Sequence, residues 1–194
     1  MKIGIFGGTF NPPHCGHVKI CKHFSDILRF DKLLIIPTFI PPHKQSQSLA
    51  SANERVEMCK LAFDGIENAQ ISTIEIERGG KSYTVDTLTQ IKNMYPDSEL
   101  FFIMGTDMFN SFNKWYRWQD ILSLCTICVA KRENDETIEN LYPEFRHRII
   151  ISQTEPFVVS SSEIREKIKA HDSVDGILPE KVTRYINEKK VYNV

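Results

Sequence analysis

The sequence predicts an α/β fold: a doubly wound, Rossmann-like parallel sheet with helices on both faces, followed by a C-terminal helical segment. Two observations support this fold class. Short β-rich runs alternate with amphipathic segments along most of the chain, and the first run ends in Gly7-Gly8 directly before a segment with helical spacing. Strands separated by helices of this length favour right-handed βαβ crossovers, which make the strands parallel and cover both faces of the sheet.

Six runs are predicted to be strands because each is short, apolar and β-rich. They span residues 3–6, 33–36, 71–76, 100–104, 127–130 and 149–151. Pro37 stops the second run, as a proline is expected to do. Sheets of this kind bind ligands at the carboxyl ends of their strands, so the turns after the first, second and fourth runs should face one crevice.

Four segments between these runs carry apolar residues at the spacing of an amphipathic helix. Their apolar stripes are Val18, Cys21, Phe24 and Leu28; Val56, Cys59, Ala62 and Phe63; Val85, Leu88, Ile91 and Tyr95; and Trp118, Ile121, Leu122 and Cys125. Two more helices are expected around residues 164–168 and 182–186, with Pro179 in the first turn of the second. The charged stretch 131–140 is expected to be a loop.

Composition limits the number of domains, the partners and the cellular location that we expect for this chain. With 194 residues, 41% of them hydrophobic, the chain suits one well-buried core, so we expect a single domain over residues 1–194. A formal net charge of -1 argues against a nucleic-acid partner. Because no apolar run approaches the roughly 20 residues of a membrane helix and no signal-peptide core follows Lys2, we expect a cytoplasmic protein without a membrane partner.

The five cysteines predict reduced thiols, because their number is odd and their spacing irregular. Cys125 and Cys128 form a C-x-x-C pair, but no second pair accompanies them. Two small buried side chains are the favoured interpretation, and a metal or redox site is the alternative.

A phosphate site is predicted where the first strand enters the first helix, at Gly7-Gly8-Thr9-Phe10 and at His14-Cys15-Gly16-His17. Bare glycines let a backbone approach phosphates, and a helix start offers N–H donors. The two histidines are three residues apart, so their rings should share one helix face and donate to phosphoryl oxygens. The weaker alternatives are a pair that only caps the helix start, or half of a zinc site, for which the sequence offers no companion ligand motif.

A second phosphate clamp is expected at Ser160-Ser161-Ser162 leading into Arg165, at another helix start. Hydroxyls and N–H groups there could hold phosphate oxygens, and a fixed guanidinium is suited to the same anionic groups. Ser160 and Glu163 also satisfy a capping box, which needs no ligand. The local sequence favours neither interpretation, and both roles can coexist.

On these two motifs, in this order and separation, the chain resembles the bacterial nicotinate-nucleotide adenylyltransferases, within the nucleotidyltransferases that carry a His-x-x-His motif. Three further segments resemble the nicotinate branch in particular: Pro41-Pro42-His43-Lys44, Ser82-Tyr83-Thr84, and Gly105-Thr106-Asp107 followed by Trp115-Tyr116. The resemblance extends over nearly the whole chain and implies a single nucleotidyltransferase domain. Asn11 departs from it, since many relatives carry aspartate there.

The resemblance implies transfer of AMP from ATP to nicotinate mononucleotide, with Mg²⁺ brought by ATP and no permanent protein metal site. The implied catalytic residues are His14, His17 and Arg165. The implied ATP-binding residues are Gly7, Gly8, Thr9, Phe10, His14, His17, Gly105, Asp107, Arg132, Ser160, Ser161, Ser162 and Arg165. Lys44, Thr84, Trp115 and Tyr116 are implied for nicotinate mononucleotide, while Asp107 is equally well explained as a helix cap.

Two alternatives stay open on these residues. A related adenylyltransferase could use another acceptor, such as nicotinamide mononucleotide or phosphopantetheine, because the histidine pair does not distinguish acceptors. A regulator could bind the nucleotide without turnover, although retention of both histidines and of Arg165 argues against it. A homo-oligomer is possible, and the sequence does not indicate its size.

Overall fold

The computed structural model describes residues 1–40, 49–131, 142–154 and 159–192. In these residues, six strands form one sheet in the order β3-β2-β1-β4-β5-β6, and every neighbouring pair is parallel. The strands are β1 (Lys2–Gly8), β2 (Lys32–Pro37), β3 (Ala69–Ile71), β4 (Glu99–Gly105), β5 (Thr126–Lys131) and β6 (Ile149–Gln153). The order reverses between β1 and β4, so the predicted doubly wound fold is confirmed, and folds of this kind bind their ligands at such a reversal.

Helices connect the strands and cover both faces of the sheet. They are α1 (Cys15–Leu28), α2 (Ala52–Phe63), α3 (Ile74–Arg78), α4 (Thr84–Met94), α5 (Thr106–Phe109), α6 (Trp118–Leu124), α7 (Ser161–Lys169) and α8 (Glu180–Lys189). Two 3₁₀ turns, Phe112–Lys114 and Pro143–Arg148, complete the described elements. Each of the four apolar stripes predicted from the sequence falls on a helix and packs into one of the two hydrophobic cores, and only Tyr95 and Cys125 lie one residue beyond the helix end.

Two hydrophobic cores lie on opposite faces of the sheet. Helices α1, α2, α7 and α8 pack over one core, and α3 to α6 pack over the other. Successive side chains of a strand point to opposite faces, so Ile35 and Phe101 enter the first core while Ile36 and Phe102 enter the second. The central strands are therefore buried on both faces, as their continuous apolar runs require.

One predicted strand is partly wrong. Residues 71–76 were expected to be extended, but β3 ends at Ile71 and α3 begins at Ile74. The helical turn buries both Ile74 and Glu75, and it brings the Glu75 carboxyl group to the hydroxyl of Thr87 in α4. A tertiary contact thus overrides the β preference of the isoleucines. Pro179 is also displaced by one position, since it caps α8 instead of entering its first turn.

The C-x-x-C pair is not one site. Cys125 lies in the core beneath α6, whereas Cys128 lies in the core on the other face of the sheet. Burial raises the pKa of the Cys128 thiol to about 12 and raises the pKa of Cys125 further. Thiols that stay protonated are poor metal ligands and nucleophiles, so the interpretation as small buried side chains is confirmed.

Candidate active site

The predicted histidine pair lies at the start of α1, which follows β1 at the point where the strand order reverses. His14 is the residue that caps α1, with an extended backbone, and His17 lies in the first turn. Their imidazole rings stack, with 3.6 Å between ring centroids and 29° between planes. The expectation that both rings share one face is confirmed.

The hydrogen bonding of His17 determines which ring nitrogen carries its proton. The backbone N–H of His14 donates to Nδ1 of His17, at 3.1 Å between the two nitrogens. A nitrogen that accepts a hydrogen bond is unprotonated, so a neutral His17 carries its proton on Nε2. The imidazole is therefore arranged to donate from Nε2.

Phe10 supports this histidine from the core. Its ring is buried and meets the His17 ring edge-on, with 5.2 Å between centroids, and it also packs against Phe63. A methyl group on Gly8 would lie only 3.1 Å from the Phe10 ring, so this glycine makes room for it. The side chain of Phe10 thus has a packing role, and only its backbone is left for the predicted nucleotide contact.

The second predicted motif docks on the loop between β1 and α1. Ser161 Oγ donates to the carbonyl oxygen of Pro12 at 3.0 Å, and Arg165 Nη1 donates to the carbonyl oxygen of Asn11 at 2.9 Å. Arg165 also donates from Nη2 to Ser162 Oγ at 3.2 Å. The start of α7 is consequently held beside the start of α1, as a shared phosphate site requires.

The capping box at the start of α7 is present as well. The backbone N–H of Ser160 donates to Glu163 Oε2 at 2.7 Å, and the backbone N–H of Glu163 donates to Ser160 Oγ at 3.2 Å. The bond from the Ser160 backbone lowers the pKa of the Glu163 carboxyl group. Because Ser160 Oγ acts as an acceptor here, its own proton can still be donated to a ligand.

Asn11 connects three segments of the site. Its side-chain oxygen accepts a hydrogen bond from the backbone N–H of Ala50 at 3.0 Å and another from the hydroxyl of Tyr192 at 2.8 Å. Burial raises the pKa of Tyr192 well above its ordinary value, so the hydroxyl keeps its proton and donates. The sequence motifs gave no indication of Tyr192.

A buried arginine, Arg55 in α2, was also missed. Its guanidinium donates to the carbonyl oxygens of Ala50, Thr9, Thr38 and Phe39, at 3.2, 3.0, 2.6 and 3.4 Å. These bonds tie together the turns that follow β1 and β2. Burial lowers the pKa of Arg55. The only signal in the sequence was a charged residue directly beside Val56, the first residue of the apolar stripe of α2.

Two of the predicted acceptor residues, Thr84 and Tyr116, lie at or beside the start of α4. Thr84 is the first residue of this helix, and the ring of the preceding Tyr83 lies 4.8 Å from the ring of Tyr116. Trp115 is half-buried and packs edge-on against Phe112, with 5.5 Å between centroids. Lys44 lies outside the described residues.

The residues predicted for the adenosine side lie at the end of β4. Gly105 ends the strand and caps α5, and a methyl group added to it would meet no atom within 4 Å. Asp107 is exposed and is the second residue of α5, so its alternative interpretation as the cap is wrong. The cap falls on Gly105 because the strand leads directly into the helix. Arg132 lies outside the described residues.

Among the residues that the structure describes, no three histidine, cysteine or acidic side chains are grouped so that they could hold a metal ion. Across those ranges there is also no helix with the length and apolarity needed to cross a membrane.

The fold and the paired helix starts define an α/β nucleotidyltransferase. A family model described as Cytidylyltransferase-like matches residues 5–167. The chain is 38% identical over 191 residues to the nicotinate-nucleotide adenylyltransferase of Bacillus subtilis (strain 168), covering 98% of each. It is 39% identical to the Probable nicotinate-nucleotide adenylyltransferase of Geobacillus thermodenitrificans, covering 98% of this chain and 86% of the relative. The chain belongs to the cytidylyltransferase-like family and, within it, to the nicotinate-nucleotide adenylyltransferases.

Solved structures agree with the fold. The nicotinic acid mononucleotide adenylyltransferase of Plasmodium falciparum complexed with APC superposes with a TM-score of 0.83 at 16% identity, covering 99% of this chain and 97% of that chain. The same protein complexed with NaAD gives a TM-score of 0.82 with the same coverage. At this identity the likeness concerns the architecture alone.

Proposed function

We propose that this chain transfers AMP from ATP to nicotinate mononucleotide, forming nicotinate adenine dinucleotide and pyrophosphate. The observation that carries the proposal is the docking of α7 on the loop before α1, through Ser161 and Arg165 on Pro12 and Asn11. This docking supports the proposal, because it holds the Arg165 guanidinium on the loop directly before His14. The names of the relatives, which share more than a third of their residues with this chain, support the choice of acceptor.

The chemistry needs no protein nucleophile. A phosphate oxygen of nicotinate mononucleotide attacks the α-phosphorus of ATP, and the bond from that phosphorus to the oxygen bridging to the β-phosphate breaks. Such transfers depend on positioning two anions and on stabilising charge on the phosphoryl oxygens. We assign the donor to the α-phosphate to Nε2 of His17, with His14 and Arg165 holding the outer phosphates.

The remaining ATP contacts are assigned to the turns that surround this pair. Gly7, Gly8, Thr9 and the backbone of Phe10 follow β1, Ser160 to Ser162 begin α7, and Gly105 with Asp107 follow β4. Arg132 is retained in the proposal on the sequence alone. Because the described residues include no carboxylate cluster, we propose that Mg²⁺ arrives on the phosphates of ATP.

The acceptor is assigned to the start of α4 and the turn before α6. Thr84 and nearby backbone N–H groups would bind the carboxylate of the pyridine ring, and Trp115 offers a flat face for the ring itself. Tyr116 borders the proposed pyridine site, where its ring contacts that of Tyr83. Lys44 is retained for the acceptor phosphate on the sequence alone.

The proposal is tested by incubating the purified protein with Mg²⁺, ATP and either nicotinate or nicotinamide mononucleotide, and measuring pyrophosphate and dinucleotide. We expect both products with the acid. Absence of both products with the acid, or a tenfold preference for the amide, would contradict the proposal.

His17→Ala should lower turnover by roughly a hundredfold or more, because a donor to the developing charge is lost. His17→Gln should retain more activity, since its amide nitrogen can reach the position of Nε2. His23→Ala is the matched control, because His23 lies on the same helix but is hydrogen-bonded to Ser152. Near-normal turnover in His17→Ala would contradict the role of His17.

A further inference from the structure

Glu75 is a buried acidic residue for which the transfer chemistry has no use. It lies in α3 and is only 6% exposed, whereas Glu77 on the same helix is exposed. Burying an ionisable carboxyl group costs free energy unless its oxygens are hydrogen-bonded. The partners of Glu75 therefore indicate what its position achieves.

Hydroxyl groups from three segments surround this carboxyl group. Thr87 of α4 donates from Oγ1 to Glu75 Oε1 at 2.7 Å, and the same Thr87 oxygen accepts from Arg78 Nη2 at 2.8 Å. The hydroxyls of Ser82 and Thr38 also favour the charged carboxylate, although Oε2 itself accepts no hydrogen bond of standard geometry. Burial outweighs these contacts and raises the pKa of Glu75.

The three hydroxyls belong to segments that hold each other. Ser82 Oγ accepts a hydrogen bond from the backbone N–H of Phe39 at 3.1 Å, and the backbone N–H of Ser82 donates to the carbonyl oxygen of Ile40 at 3.1 Å. Ile40 and Lys81 also form an isolated parallel bridge. The turn after β2 is thus joined to the segment that enters α4, and Glu75 lies beneath the junction.

We propose that Glu75 is a positioning residue for the acceptor site, resting on the function proposed above. Through Thr87 and Ser82, its carboxyl group sets the position of the first turn of α4, and hence of Thr84 and Tyr83. The nicotinate ring and its carboxylate would meet that turn. Glu75 touches neither substrate, and its effect should fall on the acceptor and spare ATP.

A carboxyl group suits this junction better than its neutral amide. Glu75→Gln keeps the shape and removes the cost of burying charge, so the melting temperature should stay the same or rise. Glutamine has one acceptor oxygen where the carboxylate has two, so when that oxygen faces Thr87 its NH₂ group faces the hydroxyls of Ser82 and Thr38, which favour the carboxylate. A purely structural residue would show the opposite pattern, with lost stability and unchanged substrate affinities.

The experiment measures kcat and the KM values for both substrates, with thermal melting, in Glu75→Gln, Thr87→Val and the control Glu77→Gln. Loss of one hydrogen bond of about 1 kcal/mol corresponds to roughly a fivefold change, so we expect KM for nicotinate mononucleotide to rise about five- to tenfold in the first two variants. KM for ATP should stay within about twofold of wild type. The effects of the two changes should be non-additive in the double variant, because Thr87→Val already removes the contact between Thr87 and Glu75.

The outcomes separate this inference from the proposed function. If the wild-type enzyme turns over nicotinate mononucleotide but the Glu75 and Thr87 variants match Glu77→Gln, the positioning role is refuted alone. Equal increases in the KM values for nicotinate mononucleotide and for ATP also refute it. So does a fall in melting temperature large enough to explain the loss of activity. Calorimetry then measures the binding of nicotinate mononucleotide to the wild-type protein. Absence of binding would overturn the proposed function and this inference together.

Discussion

Arg165 donates a hydrogen bond to the main-chain carbonyl oxygen of Asn11, although the two residues are 154 positions apart. Asn11 lies in the turn after β1, and Arg165 lies in α7. The same guanidinium donates to the carbonyl oxygen of Ser161 and to the hydroxyl of Ser162. Protein groups therefore hold its orientation before any phosphate arrives, which reduces the entropy lost when a nucleotide binds.

Replacing Arg165 by lysine should separate the contribution of the guanidinium geometry to catalysis from that of its positive charge. Lysine keeps the positive charge but lacks the planar fork that reaches Asn11 and Ser162 together. We expect kcat to fall roughly a hundredfold, in the range seen when one transition-state donor is removed. Steady-state kinetics with Arg184→Lys as the control would check this, because Arg184 is exposed on α8. A decrease of less than about threefold would contradict the assignment.

Tyr192→Phe removes the hydroxyl that donates to Asn11 and leaves the ring in place. We expect a stability loss of about 1 kcal/mol, the usual contribution of one hydrogen bond. Because Asn11 also holds Arg165, kcat/KM for ATP should fall as well, and the effect should be non-additive with Arg165→Lys. Denaturant unfolding and a double-mutant cycle measure both effects, with Tyr185→Phe as the control. Additive kinetics would show that the two contacts are independent.

Gly105→Ala is expected to leave the fold intact and weaken nucleotide binding. An added methyl group meets no protein atom within 4 Å, so any conflict must come from a ligand close to the end of β4. We expect KM for ATP to rise about tenfold, equivalent to 1.4 kcal/mol, with an unchanged melting temperature. Gly65→Ala is the matched control, because its added methyl group is equally unobstructed. Unchanged ATP affinity in Gly105→Ala would place the adenosine elsewhere.

Arg55→Met should destabilise the protein more than any of these changes. Methionine fills part of the space but leaves four carbonyl oxygens without their donor. Each buried polar group left unsatisfied costs about 1–3 kcal/mol, so the total should exceed roughly 3 kcal/mol. Urea unfolding would measure it, with the exposed Arg29→Met as the control. A loss below about 1 kcal/mol would mean that water replaces the guanidinium.

Most of the fold could be predicted because its signals are local. Leu33 to Ile36 are apolar without interruption, as expected of a strand buried on both faces, and the stripe of Val85, Leu88 and Ile91 is buried as predicted. The failure at Ile74 has a non-local cause. The short α3 has little helical preference of its own, and its conformation depends on the burial of Glu75 against Thr87.

The site was predictable where one short segment carries the chemistry. His14 and His17 are three residues apart at the start of α1, and the hydrogen bond from the His14 backbone N–H to His17 Nδ1 brings their rings together. Arg55, Glu75 and Tyr192 were missed because each acts through a partner at least 12 positions away, and no local pattern distinguishes them from surface residues. What these three residues share is a buried polar side chain, and burial is apparent only in the tertiary structure.

Hydrophobic periodicity, strand length and the glycine and histidine spacings were enough to specify the sheet, its covering helices and the two helix starts to which we assign phosphate binding, because these depend on neighbours along the chain. The chain could not show that Tyr192, Ala50 and Arg165 all converge on Asn11, or that α3 is helical. These features arise from burial and hydrogen bonds between distant segments, whose energies exist only once the sheet has brought those segments together.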